Sequence, residues 1–425
     1  MSKRVLFIAY YYPPLAGSGV YRPLKLVEYM REFGYYVDVL TVDELDYHTN
    51  DSALLQQSQA NNIYRANSYD PLAIMKKIRK KNVQLSEPIV FSERKKRIIN
   101  SFFPIDNKIG WLYPALKKAN ELFKIHTYDL CFATIGPFTS ALLASKIAQK
   151  HKIPYVIDYR DHWTLNTYKF DYNPLNKVMS KYLETKILKK SMLVSCIGKE
   201  MRTELVFEFL QNTPDKVIVC YNGYDEKEFK IANYMKVDNK IIIRYMGTFN
   251  ANRTVKYFAK ALQELIKENY DISSLQFEFY GNFDSQTVIS LQTGSLQKYV
   301  QIYSQIPHVD SISKICSADV LLLFISSEDG KGVLTGKLFE YIRSGKMILP
   351  MIRQDGEAKD ILNNLGYHKS CSMEDIQSIK KYIKEINEAR FDNLPKNNAN
   401  IAIFTRESQC LQLINEIDLR LPNKV

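Results

Sequence analysis

Cysteine is sparse and scattered. The six, at 131, 196, 220, 316, 371 and 410, form no Cys-x-x-Cys pair, which argues against a zinc site and a disulfide framework. Several sit in apolar runs, as buried thiols do. No apolar run approaches the roughly 20 residues of a membrane-spanning helix. The run Val5-Leu6-Phe7-Ile8-Ala9 follows Met1-Ser2-Lys3-Arg4 and leads into Tyr10-Tyr11-Tyr12-Pro13-Pro14, with no signal-peptide cleavage pattern. It reads as the first core strand of a cytoplasmic protein. There is no Asp-x-Asp pair for a divalent cation, so no obligatory metal and no cofactor is expected. No period of roughly 20–50 residues recurs, which excludes a repeat array. Helix-turn-helix, zinc-finger and RNP patterns are missing, so nucleic acid is not an expected partner.

What is present is apolar and basic. Hydrophobic residues make up 46% and aromatics 12%, ample for packed cores, and 425 residues point to two domains. The net charge of +12 fits nucleic acid, an anionic membrane or phosphorylated substrates. Two basic clusters help to choose, Met75 to Lys81 and Glu93 to Phe103, the second with Ile98, Ile99, Phe102 and Phe103 beside its cations. Basic and apolar side chains together suit an anionic bilayer, so residues 76–103 are the expected contact for a protein peripheral at the inner face of the plasma membrane. A solvated charged loop fits the same residues.

Strand and helix patterns alternate along the chain. Val5–Tyr10 reads as a strand, Pro13–Val20 as a loop, Pro23–Phe33 as a helix and Tyr36–Val42 as the next strand. Residues 45–110 are polar, basic and poor in clear strands. Beyond them come strands at Tyr128–Thr134, Pro154–Ile157 and Ser191–Ile197, with helices at Trp111–Phe123, to Gln149, Lys177–Lys189 and Glu200–Leu210. A second series starts with the strand Ile241–Met246 and the helix Val255–Lys267. It continues through strands at Gln276–Gly281, Val300–Tyr303, Val320–Ile325 and Met347–Ile352. Helices are expected at Ile312–Ala318, from Thr335, at Met373–Asn387 and from Phe404 to Leu419. Such alternation predicts α/β architecture, two doubly wound Rossmann-like parallel-sheet domains facing a cleft. Their expected bounds are 1–230 and 236–403, with a terminal helix over 404–425.

Ligands in such folds bind beyond the carboxyl ends of strands. Four loops there carry suitable residues. Gly17-Ser18-Gly19 lets backbone N–H groups face an anion, although it lacks the third glycine of the dinucleotide fingerprint. Asp158-Tyr159-Arg160-Asp161-His162-Trp163 gathers two carboxylates, an Arg and a His at a strand end, where Asp161, then Asp158, then His162 can accept a proton. Gly247 at a strand end with Arg253 near a helix start forms a phosphate cradle. Thr335-Gly336-Lys337, an N-cap, an open glycine and a cation, opens a helix with Glu340 about one turn further in. An anion could rest on that helix start while Glu340 accepts hydrogen bonds from sugar hydroxyls.

Thr335-Gly336-Lys337-Leu338-Phe339-Glu340-Tyr341 followed by Ser344-Gly345-Lys346 resembles the nucleotide-sugar site of family-4 retaining glycosyltransferases. The stretch from Tyr11 through Pro13-Pro14 and Gly17-Ser18-Gly19-Val20 to Arg22-Pro23 is similar to that family's first loop, and Asp158-Tyr159-Arg160-Asp161-His162-Trp163 to its acceptor-facing motif, with His162 where Pro is more usual. Asn222-Gly223-Tyr224-Asp225 matches the turn that closes the first domain in that family. The resemblance covers nearly the whole chain, least well over 45–127, and implies the GT-B fold. It implies that Glu340 contacts the ribose, Lys337 and Arg253 the diphosphate, and the loop around His308 the base, largely through backbone. Two departures stand out. The glutamate that contacts the donor sugar falls on Gly332, with Glu328 and Asp329 as nearby substitutes, and Thr248 replaces a basic residue after Gly247.

The resulting expectation is an enzyme of the hexosyltransferase class. It moves a sugar from a nucleotide-diphosphate sugar, UDP-linked in first place, to a hydroxyl of a bacterial surface polysaccharide or a lipid-linked glycan, with retention. Two competitors are a nucleotide-sugar epimerase of similar fold and a non-catalytic membrane-associated assembly protein.

Overall fold

The computed structural model describes residues 2–43, 51–70, 103, 105–166, 173–232, 240–249, 253–396 and 400–422. The chain divides into two compact units, Met1–Cys220 with Gln409–Val425, and Tyr221–Ser408.

The first unit runs β1 (Arg4–Ile8), α1 (Ser18–Glu32), β2 (Tyr36–Val42), α2 (Ser52–Gln56), β3 (Asn62–Ala66), α3 (Leu112–Ile125), β4 (Leu130–Ile135), α4 (Thr139–His151), β5 (Tyr155–Tyr159), α5 (Pro174–Lys190), β6 (Leu193–Cys196), α6 (Lys199–Phe209) and β7 (Val217–Val219). Its sheet has the order β3-β2-β1-β4-β5-β6-β7, all parallel. β1 over its buried length, and β4 apart from Thr134, are apolar because helices cover both faces of a parallel sheet. Strand order reverses between β1 and β4, which opens a crevice at their carboxyl ends.

The second unit runs α7 (Glu226–Ile231), β8 (Ile241–Met246), α8 (Lys256–Lys267), β9 (Leu275–Tyr280), α9 (Ser285–Gln292), β10 (Val300–Tyr303), α10 (His308–Ser317), β11 (Val320–Phe324), α11 (Gly336–Ser344), β12 (Met347–Met351), α12 (Glu357–Leu365) and α13 (Ile376–Asn387). Its parallel order is β10-β9-β8-β11-β12, with the reversal between β8 and β11. A last helix, α14 (Arg406–Arg420), starts in the second unit and finishes in the first. There Cys410, Leu413, Ile414 and Ile417 enter the first unit's core.

The expected pair of doubly wound parallel sheets is borne out. Several boundaries differ. α1 begins at Ser18, not Pro23, so the glycine loop is its entry, with Gly17 as N-cap at φ 122°, a conformation that favours glycine. α10 begins at His308 rather than Ile312. Residues 45–110 are not without a strand: β3 lies there, a half-exposed edge whose pattern lacks the solid apolar run of a central strand. The expected membrane contact over 76–103 falls outside the described residues except for Phe103. Among the described residues no helix is long and apolar enough to cross a membrane.

Candidate functional site

In the first unit, the loops after β1, β4 and β5 meet at the order reversal and bound a cavity of about 550 Å³. Volumes of roughly 300–1,000 Å³ are usual for small-molecule sites. Gly17, Gly19, Arg160, Asp161 and His162 all line it. Tyr11 of the first-loop stretch and Phe103, expected at a membrane, also line it, together with Asp106, Lys108 and Phe138, which no sequence motif marks.

Arg160 is fixed by a consequence of Pro23. Proline has no N–H, so the carbonyl four residues earlier lacks its helical partner. That carbonyl belongs to Gly19, and Arg160 Nη1 donates to it at 2.6 Å. A Cβ on Gly19 would stand 3.4 Å from Arg160 Nη2, so the helix start and the guanidinium are closely fitted. Burial lowers the Arg160 pKa, and the charges of Asp161 and Asp158 offset part of that. Asp161 itself is exposed and faces the cavity. His162 turns to Glu204, with Nε2 2.7 Å from its carboxylate, and so is held by that carboxylate as well as forming part of the wall.

Asp158 is placed differently. It is fully buried and does not line the cavity. Arg22 meets it through two nitrogens, at 2.9 and 2.6 Å, and Thr134 and Ser195 donate hydroxyls at 2.9 and 2.7 Å. Burial pushes its carboxyl up, but the Arg22 charge and these hydrogen bonds outweigh it and hold the pKa low. With its oxygens engaged by four donor contacts, this carboxylate is suited to fixing β5 against α1 rather than to receiving a substrate proton.

In the second unit, the candidate donor residues also gather at the order reversal. Gly247 ends β8 beside Gly281, where an added Cβ would lie 1.8 Å from the Gly247 carbonyl. The two backbones thus approach as closely as glycine alone allows. Arg253, beyond the same strand, has Nη2 3.8 Å from Asp329 Oδ2, linking the β8 loop to the β11 loop. Asp329 also accepts from the Ser326 N–H at 3.3 Å. Thr335 is the N-cap of α11 by position, but its side chain makes no capping bond. Its Oγ1 is buried without a partner among the described residues. Gly336 has open space where a Cβ would be, so the helix start is accessible.

Glu340 is buried on the first turns of α11, with Lys337 Nζ 3.0 Å from Oε2 and His308 Nε2 3.8 Å from Oε1. His308, the first residue of α10, also meets Glu228 Oε2 at 3.0 Å, and Arg406 Nη1 reaches the same oxygen at 3.5 Å. Burial raises the Glu340 pKa, but Lys337, His308 and Arg406 together bring it below the ordinary carboxylate value. The His308 side chain thus joins two buried carboxylates at the start of α10. Glu228 and Arg406 were missed, since only the fold brings them to a position 80 or more residues away in sequence. Among the described residues no group of three or more His, Cys, Asp or Glu could hold a metal ion.

The family model described as Glycosyltransferase Family 4 matches residues 23–228. No curated protein matches the chain. Among solved structures, sucrose-phosphate synthase from Thermosynechococcus elongatus is similar at TM-score 0.65 and 14% identity, covering 98% of each chain. HepE of Anabaena in complex with UDP and glucose aligns at TM-score 0.64 and 13% identity, covering 98% of this chain and 100% of that one. A UDP-GlcNAc 2-epimerase from Neisseria meningitidis bound to UDP-GlcNAc aligns at 0.56 and 13%, with the same coverage. These likenesses show the fold, GT-B. Residues 23–228 match the model of glycosyltransferase family 4, a family of sugar-transferring enzymes.

Proposed function

We propose that the protein transfers a sugar from a nucleotide-diphosphate sugar, UDP-linked in first place, to a hydroxyl of a surface polysaccharide or its lipid-linked precursor, with retention. The observation that carries the donor half is Glu340, a buried carboxylate one turn inside an open helix start and flanked by Lys337 and His308. Glu340 accepts the ribose hydroxyls. The diphosphate rests on the N–H groups around Gly336 and competes with Glu340 for the Lys337 ammonium, while Arg253 offers a fork to its oxygens. As the glycosidic bond to the diphosphate breaks, these groups stabilise the developing charge, with no obligatory metal. In the first unit, Asp161 at the cavity accepts the acceptor hydroxyl's proton, and Arg160 orients it. HepE structures in complex with UDP and with UDP-glucose support the choice of nucleotide. The proposed location is cytoplasmic, peripheral at the inner face of the plasma membrane.

A second reading, a nucleotide-sugar epimerase, is favoured by the aligned 2-epimerase. A thermal-shift panel of UDP, GDP, ADP and CMP with their sugars, without metal, tests the donor half. Stabilisation by one nucleotide, lost in Lys337→Ala, is expected; no shift at millimolar ligand would overturn it. Release of UDP only when a glycan acceptor is added separates transfer from epimerisation.

A further inference from the structure

The exposed side of α5 combines two properties that seldom coincide by chance. Leu175, Val178, Met179 and Tyr182 are 81%, 69%, 42% and 63% exposed. At about 100° per residue they form one stripe, on the side opposite Ser180, Glu184, Ile187 and Leu188, which are buried. A contiguous apolar stripe on a water-facing helix calls for something to cover it. The helix also carries five exposed lysines, Lys177, Lys181, Lys186, Lys189 and Lys190, and Lys186 and Lys189 prolong the apolar stripe. Its single acidic residue, Glu184, is on the buried side. From α6, Glu208 pairs with Lys181, which leaves the other four lysines to define the field of the exposed side.

We propose that this side of α5 docks on an anionic lipid surface. Leu175, Val178, Met179 and Tyr182 enter the boundary between headgroups and acyl chains, and the lysines hold anionic headgroups, their stems extending along the apolar part. The charge argues against a second copy of the chain as occupant, because two such faces would oppose lysine to lysine. In sequence, α5 lies outside residues 76–103. Its use to the enzyme rests on the lipid-linked acceptor proposed above: docking would hold the first unit, whose cavity is lined by Asp161, His162 and Asn166, at the surface that carries such a substrate.

Co-sedimentation of the full chain with vesicles of phosphatidylglycerol and phosphatidylcholine, and of phosphatidylcholine alone, tests this. Binding is expected only to the anionic vesicles and is weakened by salt. Replacing Leu175, Val178, Met179 and Tyr182 with Ser should weaken it at least about tenfold. Lys186→Gln and Lys189→Gln should weaken it about fivefold each, and this pair serves should the quadruple variant misfold, as judged by its melting temperature. Equal binding to neutral vesicles, no binding at all, or unchanged binding by both variants would overturn the proposal. So would a concentration-dependent dimer that the Ser variant abolishes. The UDP thermal shift is read alongside. A shift without vesicle binding defeats the docking surface and leaves the donor reading; vesicle binding without a shift does the reverse.

Discussion

Each unit buries a carboxylate near the carboxyl ends of its strands, and the two are treated in opposite ways. Asp158 is enclosed by Arg22, Thr134 and Ser195, all from its own unit's framework. Glu340 is equally buried, but its partners are Lys337, whose side chain is 29% exposed, and a His shared with Glu228. Both carboxyls are held ionised below their ordinary values. The first has spent its hydrogen-bonding capacity on the fold; the second is bounded by a cation and an open helix start and can exchange partners. Low pKa and burial therefore do not by themselves mark a reactive group; what matters is which partners a ligand can replace.

Substitution separates the two cases. Asp158→Ala removes the carboxylate that faces the buried Arg22 guanidinium, and should cost about 3–5 kcal/mol in urea unfolding. A stable Asp158→Ala protein defective only in turnover would reverse the assignment and give Asp158 a chemical part. Asp161→Asn, in the same loop but exposed, should lower kcat about a hundredfold or more with UDP affinity and melting temperature unchanged. Glu340→Ala should weaken UDP binding about tenfold to a hundredfold in calorimetry, from the loss of charge-assisted hydrogen bonds; unchanged affinity would remove the ribose role.

Acid offers the finest distinction. Both carboxyls have lowered folded values, so their stabilisation is complete above the ordinary values, 4.5 for Glu340 and 3.8 for Asp158, and fades as pH falls through the folded ones. Urea midpoints should fall on acidification, and Asp158→Asn should flatten the part below 3.8. Bound UDP should shift the Glu340 part and leave the Asp158 part in place.

The sheets were legible in the sequence because strands covered on both faces are unbroken apolar runs, as Val320 to Phe324 shows. β3 escaped because an edge strand need not be apolar. The start of α1 was displaced to Pro23 because proline usually stands at the first position of a helix; here it lies inside and releases the Gly19 carbonyl for Arg160. In the site, local motifs identified Arg160, Asp161, Lys337 and Glu340 as candidates. Arg22 could not be paired with Asp158 from the chain, since 136 positions separate them. The same holds for the meeting of His308, Glu228 and Arg406, which depends on three elements converging.

The final helix sets an order of assembly. Cys410, Leu413, Ile414 and Ile417 belong to the first unit's core, yet they leave the ribosome after the whole of Tyr221–Ser408. The first unit must therefore wait, its core incomplete, while the second is made. Near α1 the waiting surface includes the Leu26 carbonyl that Cys410 Sγ later meets at 3.9 Å, and at the amino-terminal edge Lys3, which later pairs with Asp418 at 2.6 Å. Loss of this helix would therefore uncover core surface in the part of the chain translated first.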